Sequence, residues 1–418
     1  MLLQIIGTIV VSITLIKVGL WLISFFQQVI YHRHQQNLAL ELLHHRVETA
    51  KVGHIEQGKT PLSWNGYRKF VMKRKVRESR EICSFYLSPH DLKRLPPFRP
   101  GQHLTFKLNI PGISKPVIRC YSLSNSPNHS NYYRVTIKKL SAYSTGSDLR
   151  TGLASTYFHD QLKEGDILDV KAPNGKFFLE PSADNSIVLV AGGVGITPLL
   201  SMLNAVTDSH SKREVWFFYG VPNGSAHIMK EHLVQLGQEF ANIHLQVCYS
   251  KPTDQDVPGK DYHYAEHVSV DLFKRVLPST NYEFYICGPP PMMESLTQDL
   301  LGWGVAADKI FFEAFGPTTV KKATAATAPL SEASEIDVVF AKTGRKCPWN
   351  PRAGSLLEFA ESNGITIDSG CRSGNCGTCL TPIKSGEVTY ITDPGLMLNA
   401  GSCLTCISIP RGHITLDA

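Results

Sequence analysis

The spacing of hydrophobic and polar residues divides the front of the chain into three stretches. Residues 1–26 are almost wholly apolar, and a helix of this length, at about 1.5 Å per residue, can cross a membrane. Residues 27–63 mix leucines with polar residues, which predicts a helical stalk beside the membrane. From residue 64 the pattern becomes that of β-strands. The predicted strands are Phe70–Val76, Glu81–Leu87 and Tyr132–Lys139.

A different pattern runs through residues 181–316. Short apolar strands alternate there with helical segments, as in a parallel α/β sheet. Ser186–Gly193 is an apolar strand that ends in a glycine turn, and the helical pattern of Leu199–Val206 follows it. Further strands are predicted at Glu214–Tyr219, His244–Tyr249, Tyr282–Cys287 and Ile310–Phe315.

The last part of the chain begins after residues 317–334, whose small and polar composition predicts a flexible linker. Residues 335–418 then contain a predicted strand at Ile336–Phe340, a short helix at Ser355–Asn363 and a cysteine-rich loop. The pattern therefore predicts a multidomain chain. It has an N-terminal transmembrane helix, a stalk, a β domain at 64–180, an α/β domain at 181–316 and an α+β domain at 335–418.

The apolar N-terminal segment is interpreted as a membrane anchor. Lys17 interrupts it at a cost of about 2.5–3.5 kcal/mol, which the surrounding apolar side chains can offset. A signal peptide would need a charged start and a small-residue cleavage site, and neither is found; a buried helix of a soluble domain is the other alternative. Arg33, Arg46 and Lys51 follow the segment, so the positive-inside rule predicts a single-pass protein with the remaining domains in the cytoplasm.

The charge distribution and the cysteine content indicate which partners and which redox compartment suit the protein. The net charge is +6, but residues 1–80 hold three times as many Lys and Arg residues as Asp and Glu residues. The basic character belongs to the front of the chain, and no nucleic-acid partner is indicated. Of the ten cysteines, about half are scattered without disulfide spacing, which suits a reducing compartment.

Three of the cysteines form the strongest motif. Cys371, Cys376 and Cys379 are spaced C-x4-C-x2-C, the plant-type pattern in which thiolates hold a [2Fe–2S] cluster. Glycines between them give the loop the conformational freedom to fold over a cluster. Cys403 and Cys406 are the candidates for the fourth ligand. A zinc site made from both cysteine groups is the alternative.

The β domain and the α/β domain each carry candidate phosphate-binding residues. Arg119, Tyr121 and Ser122 form an R-x-Y-S sequence, which alone would be an ordinary strand. Ser155 and Thr156 lie in a glycine-initiated helix start, where free N–H groups suit a pyrophosphate. The α/β domain contributes a G-x-G-x-x-P turn after its first strand and a later C-G-P turn. The turn residues are Gly193, Gly195, Thr197, Pro198, Cys287, Gly288 and Pro289.

In this order the motifs resemble the ferredoxin–NADP reductase-like enzymes, and with the cysteine loop they resemble the phthalate dioxygenase reductase type of iron–sulfur flavoprotein. The resemblance spans about residues 64–418. It implies an antiparallel β-barrel FAD domain, an α/β NAD(P) domain and a β-grasp ferredoxin domain. The absence of a third glycine in G-x-G-x-x-P separates the chain from true Rossmann dinucleotide domains.

The resemblance also implies roles for particular residues. Arg119 contacts the FAD pyrophosphate, Tyr121 stacks on the flavin and Ser122 lies near its reactive nitrogen. Ser155 and Thr156 bind phosphate. The C-G-P turn lies beside the nicotinamide, which makes Ser122 and Cys287 the candidate catalytic residues. Phe315 is a weaker candidate for a position near the flavin, and Cys406 is favoured over Cys403 as the fourth cluster ligand.

The function implied is electron transfer from NAD(P)H through FAD and a [2Fe–2S] cluster to a separate protein acceptor. A membrane-associated oxygenase, hydroxylase or desaturase is the expected acceptor, and NADH is slightly favoured over NADPH. The alternative is a membrane-anchored electron carrier or redox sensor without its own NAD(P)H turnover. The oligomeric state and any role of Cys403 are not predicted.

Overall fold

The computed structural model describes residues 64–140, 152–180, 182–315 and 336–418, apart from residues 373, 375–376, 392–393, 395–397 and 399–400. The predicted membrane segment, stalk and linker lie outside these residues. Within the described ranges, no helix is both long and apolar enough to cross a bilayer. Trp64–Ala418 is one compact unit, in which three parts follow one another.

The first part is an antiparallel barrel of six strands in the order β4-β3-β6-β1-β2-β5. A bridge from Leu123, just after β4, to Val135 in β5 joins the two ends of this order. Apolar and polar residues alternate along β1, and the apolar ones face the inside of the barrel. Phe70 and Met72 are fully buried, whereas Lys69 is exposed. The strands are β1 (Tyr67–Arg77), β2 (Ile82–Pro89), β3 (His103–Leu108), β4 (Val117–Ser122), β5 (Tyr133–Lys138) and β6 (Ile167–Asn174).

One helical segment lies between β5 and β6. Gly152 precedes it with φ +85°, and the helix α1 (Leu153–Thr156) continues into a π-helical turn at Tyr157–Gln161. Phe158 of that turn is fully buried and packs edge-on against Phe85 and Phe106. The segment therefore closes the barrel core at one side.

The second part is a parallel five-stranded sheet in the order β11-β10-β7-β8-β9. Strand β7 lies at its centre and is fully buried, with helices packed on both faces. The strands are β7 (Ile187–Gly192), β8 (Val215–Val221), β9 (Ile243–Tyr249), β10 (Glu283–Cys287) and β11 (Ile310–Glu313). The helices are α2 (Ile196–Asp208), α3 (Lys230–Glu239), α4 (Val270–Val276) and α5 (Pro290–Gly302).

The third part is a mixed five-stranded sheet, β13-β12-β18-β14-β16, with a two-stranded β15-β17 sheet beside it. Helix α6 (Leu356–Ser362) packs its apolar side on this sheet and begins at a capping box in which Ser355 and Glu358 exchange hydrogen bonds. The strands are β12 (Asp337–Phe340), β13 (Arg345–Pro348), β14 (Leu380–Ser385), β15 (Val388–Tyr390), β16 (Ser402–Leu404), β17 (Ser408–Pro410) and β18 (Ile414–Leu416).

Candidate active site

The end of β4 meets the end of β11, so the barrel and the parallel sheet share one buried polar site. Ser122 Oγ donates a hydrogen bond of 3.1 Å to Glu313 Oε2, across 191 positions of sequence. Both side chains are buried, with Glu313 only 8% exposed. Ser122, predicted to lie near the reactive nitrogen of the flavin, thus has an acidic partner that the sequence did not indicate.

Glu313 is the most perturbed carboxyl group of this site. Burial raises the pKa of Glu313 to about 8, although the hydrogen bond from Ser122 acts in the opposite direction. His103 Nδ1 lies 3.9 Å from Glu313 Oε1, and burial lowers the pKa of the imidazole. At neutral pH the glutamic acid is therefore protonated and the histidine neutral. His103 Nε2 is buried and has no hydrogen-bond partner among the described residues.

Arg119 and Tyr121 extend the site along β4. The Arg119 guanidinium donates to Ile118 O at 2.7 Å and, more weakly, to Gly370 O at 3.5 Å, in the cysteine loop. The Tyr121 ring packs edge-on against Phe158 at 5.3 Å, and burial raises the pKa of its phenol. The predicted FAD residues therefore lie between the barrel core and the ferredoxin part.

In the predicted phosphate turn at α1, the hydroxyl of Ser155 is already engaged in hydrogen bonds to the backbone of the chain. Ser155 Oγ accepts from Leu140 N at 3.1 Å and donates to Gly152 O at 3.0 Å. Ser155 is buried, whereas Thr156 is half-buried. Of the two predicted residues, Thr156 is the more accessible to a phosphate.

The two turns of the α/β part contact each other directly. A Cβ atom on Gly195 would lie 2.1 Å from Cys287 O, so only glycine fits there. Gly193 has φ +55° and faces open space, which leaves its backbone accessible to a phosphate. The close approach at Gly195 is to the C-G-P turn, and its predicted role in letting a phosphate approach stays a prediction. Gly192 likewise contacts Pro289 and Gly288.

The other predicted nucleotide residues line these turns. Thr197 is buried and its hydroxyl donates to Val194 O at 3.1 Å, while Pro198 is buried in the first turn of α2. Cys287 is fully buried, and burial raises the pKa of its thiol, so the sulfur is neutral. Phe315 lies two residues beyond β11 and is 40% exposed.

The cysteine loop brings two of the predicted ligands into contact. Cys379 Sγ and Cys406 Sγ are 3.2 Å apart, and both side chains are buried. This contact lowers the pKa of the Cys379 thiol and raises the pKa of the Cys406 thiol, so the two thiols lose their protons in two separate steps. Cys376 lies outside the described residues. Gly374 has φ +77° and faces Ile407 so closely that a Cβ would meet its Cδ1 at 2.6 Å.

Cys403 has a different environment from Cys406. It lies on β16, pairs with Thr381 of β14 and belongs to the core that contains Phe340. The Cys403 side chain is therefore used in packing, whereas the Cys406 sulfur meets the Cys379 sulfur. Cys379 and Cys406 supply two of the four thiols that a [2Fe–2S] cluster requires, and these two residues fit the group.

Comparison with known proteins agrees with this architecture. Residues 69–179 match the family "Oxidoreductase FAD-binding domain", residues 189–298 match "Oxidoreductase NAD-binding domain", and residues 340–411 match "2Fe-2S iron-sulfur cluster binding domain". A flavohemoprotein of Halalkalibacterium halodurans is 38% identical over 271 residues, which is 65% of this chain and 65% of the relative. The chain thus spans just under two thirds of that protein.

Two solved structures are similar over most of their own length. The FAD/NAD-binding domain of nitric oxide dioxygenase from Vibrio cholerae O1 biovar El Tor has TM-score 0.53 and 30% identity, over 60% of this chain and 100% of that one. Phthalate dioxygenase reductase has TM-score 0.53 and 26% identity, over 85% of this chain and 98% of that one.

The fold, the buried site and these matches define a class, the flavin- and iron–sulfur-dependent NAD(P)H oxidoreductases, whose cofactors are FAD, a [2Fe–2S] cluster and NAD(P)H. Within it, the chain belongs to the family in which an oxidoreductase FAD-binding domain is followed by an oxidoreductase NAD-binding domain, and it carries a 2Fe-2S domain after them.

Proposed function

We propose that the chain is the reductase component of an electron-transfer system, which takes electrons from NAD(P)H and delivers them to a separate protein. The observation that carries this proposal is the meeting of all three parts around one buried site. Ser122 of the barrel contacts Glu313 of the parallel sheet, and Arg119 contacts Gly370, the residue before Cys371. When bound, FAD accepts an electron pair from NAD(P)H and the cluster receives electrons one at a time.

The residues of the chain bind and orient these groups. Arg119 supplies a fixed positive charge suited to a pyrophosphate, and the accessible backbone at Gly193 suits the phosphates of the nucleotide. The close contact of Gly195 with Cys287 fixes the distance between the phosphate turn and the C-G-P turn. Cys287 is neutral and fully buried, so it fills the space behind the two turns with an uncharged side chain and keeps water out.

Ser122 and Glu313 can move a proton in the same site. Glu313 holds a proton at neutral pH, and Ser122 Oγ donates a hydrogen bond to its Oε2. A proton can pass from Glu313 through Ser122 toward the barrel side of the pocket when the serine hydroxyl turns to accept it. A glutamic acid that gives up its proton becomes a carboxylate, so a transfer from Glu313 leaves a buried negative charge until a proton is returned to it.

Steady-state reduction of two acceptors tests the relay. Ferricyanide is small enough to take electrons at the flavin, whereas cytochrome c stands in for a protein acceptor served by the cluster. Cys379→Ser should retain NADH–ferricyanide activity and lose most of its cytochrome c activity. If Cys379→Ser kept both activities, electrons would leave the chain without passing through the cluster.

We further propose that the acceptor lies in or at a membrane and is an oxygenase, hydroxylase or desaturase. The apolar residues 1–26 support this idea, because an anchor adds nothing to electron transfer but confines the reductase beside its acceptor. The basic residues that follow the segment favour a cytoplasmic orientation for the remaining domains.

A chain that begins at Lys59 tests the anchor. It should dissolve without detergent, keep its FAD and its NAD(P)H–ferricyanide activity, and lose most of its activity toward a membrane acceptor at equal concentration. Aggregation or loss of FAD would instead mean that the N-terminal segment is part of the folded core.

A further inference from the structure

One end of the β-barrel is lined by basic side chains, although the inside of the barrel is apolar elsewhere along β1. The inward-facing row of β1 continues from the buried Met72 across a β-bulge, which shifts the alternation by one residue. Beyond the bulge, Lys75 pairs with Phe85 of β2, and Arg77 pairs with Cys83. Directly paired residues point to the same face, and both β2 partners are buried in the barrel core. The two cations therefore point into the end of the barrel.

These side chains border a cleft of about 310 Å³ at the barrel end. Besides Cys83, the cleft is lined by Lys75, Arg77, Arg80, Lys139, His159 and Asp160. None of these residues is among those predicted to bind FAD, the nucleotide or the cluster. Mouths of β-barrels are frequent ligand sites, and this volume lies at the lower end of the range for small-molecule sites.

The cleft contains four cationic side chains and one carboxylate, an excess of three positive charges. Lys139 Nζ lies 2.8 Å from Asp160 Oδ1 and 2.7 Å from Oδ2, so these two charges neutralise each other. Lys75 Nζ donates to two backbone carbonyl oxygens of the π-helical turn. Arg77 and Arg80 are exposed, and within the described ranges neither forms an ion pair. Two guanidinium groups are therefore available to an anion.

The histidine of the cleft adds no charge of its own. His159 Nε2 lies 2.8 Å from Ile137 O, so this nitrogen carries the proton and donates it to the carbonyl oxygen. Burial lowers the pKa of the imidazole, and the charges of Lys75 and Lys139 act in the same direction. The imidazole is neutral at neutral pH, and the positive charge of the cleft comes from its lysine and arginine side chains.

We propose that this cleft binds a phosphate group, carried by a small soluble molecule or by a lipid headgroup. A phosphomonoester carries about 1.5–2 negative charges at neutral pH and has three strong acceptor oxygens. Guanidinium groups match such oxygens with two parallel N–H donors each. Arg77, at the end of β1, and Arg80, in the turn before β2, hold the phosphate oxygens, and Lys139 keeps Asp160 from repelling them. This inference goes beyond the reductase function and does not depend on it.

Titration calorimetry of the FAD-loaded full chain with glycerol 1-phosphate tests the soluble source. Ionic strength is held constant because it screens such contacts, and glycerol is the uncharged control ligand. The wild type should bind the phosphate ester and not glycerol. Arg77→Gln/Arg80→Gln should bind it at least about tenfold more weakly, because the hydrogen bonds lost are made by charged groups.

Lys93→Gln/Arg94→Gln is the matched control, because it removes the same two charges from an exposed loop of the same barrel, outside the cleft. It should bind glycerol 1-phosphate as the wild type does. Arg80→Glu, a single exposed change, provides a second variant should Arg77→Gln/Arg80→Gln fail to fold, and it should abolish measurable binding. Retained FAD absorbance shows that the barrel of each variant is folded.

Flotation of the full chain with vesicles tests the lipid source. Vesicles of phosphatidylcholine alone measure binding through the apolar residues 1–26, so only the increment caused by added phosphatidic acid is compared. If Arg77→Gln/Arg80→Gln loses this increment and the control keeps it, while glycerol 1-phosphate binds no variant, the phosphate belongs to a lipid. Equal behaviour of the two double variants in both experiments, or binding of neither probe by the wild type, would overturn the inference.

Discussion

At the scale of single residues, Glu313 is the group on which the electrostatics of the buried site depend. Its pKa is raised to about 8 by burial, against an ordinary value of 4.5. The unfolded chain therefore releases this proton at lower pH than the folded chain does. The stability that depends on the protonated form is fully present below the unfolded pKa and is lost as pH rises through the folded pKa.

Glu313→Gln should remove this pH dependence, because glutamine cannot ionise. From about pH 5 to 8 the wild type should lose on the order of 2–4 kcal/mol of unfolding free energy that the variant keeps. Urea unfolding across this range, with the exposed Glu294→Gln as control, measures the difference. Parallel pH profiles for Glu313→Gln and the wild type would mean that Glu313 is ionised in the folded chain.

The choice between Cys403 and Cys406 is a second question at this scale. Cys406 contacts Cys379, whereas Cys403 packs in the sheet core, so Cys406→Ser should lose the cluster and Cys403→Ser should keep it. Iron content and the visible absorption of the purified variants give the answer, with retained FAD as the internal control. A Cys403→Ser protein without iron would reverse the assignment.

At the scale of elements, the sequence predicts strands better than contacts between them. The apolar run before Gly193 and the alternation at Phe70 are local signals, and the structure has β7 and β1 there. His103 and Glu313 were missed because a single polar residue in a strand looks solvent-facing in sequence. Only the folded chain shows that β3, β4 and β11 direct these side chains into one buried site.

Gly195 shows the same limit for a turn. Its spacing predicts a phosphate contact, and the structure adds a close approach to Cys287 O, from a strand about ninety residues later in the sequence. The glycine is therefore required for reasons that no local pattern contains.

Gly195→Ala should destabilise the chain by about 1–3 kcal/mol, because a backbone carbonyl must shift to admit the methyl group. Gly302→Ala, in helix α5, meets nothing within 4 Å and should be neutral or slightly stabilising. Thermal unfolding of both variants compares them. A Gly195→Ala protein as stable as Gly302→Ala would show that the two turns do not touch.

At the scale of the whole molecule, three parts share one buried site although each has its own core. Bonds from Ser201 to Asn125 and from Ser122 to Glu313 join the parallel sheet to the barrel. The contact of Arg119 with Gly370 joins the barrel to the cysteine loop. These contacts bring the residues predicted for the nucleotide, the flavin and the cluster into neighbouring parts of one compact unit, as the proposed relay requires.

The order of electron movement can be measured directly by anaerobic rapid mixing of the full chain with one equivalent of NADH. Flavin absorbance reports the first transfer, and the electron paramagnetic resonance signal of the reduced cluster, in samples frozen at successive times, reports the second. The flavin should be reduced first and the cluster signal should grow as the flavin reoxidises. A flavin that stays reduced beside an oxidised cluster, when dithionite reduces both, would contradict the relay.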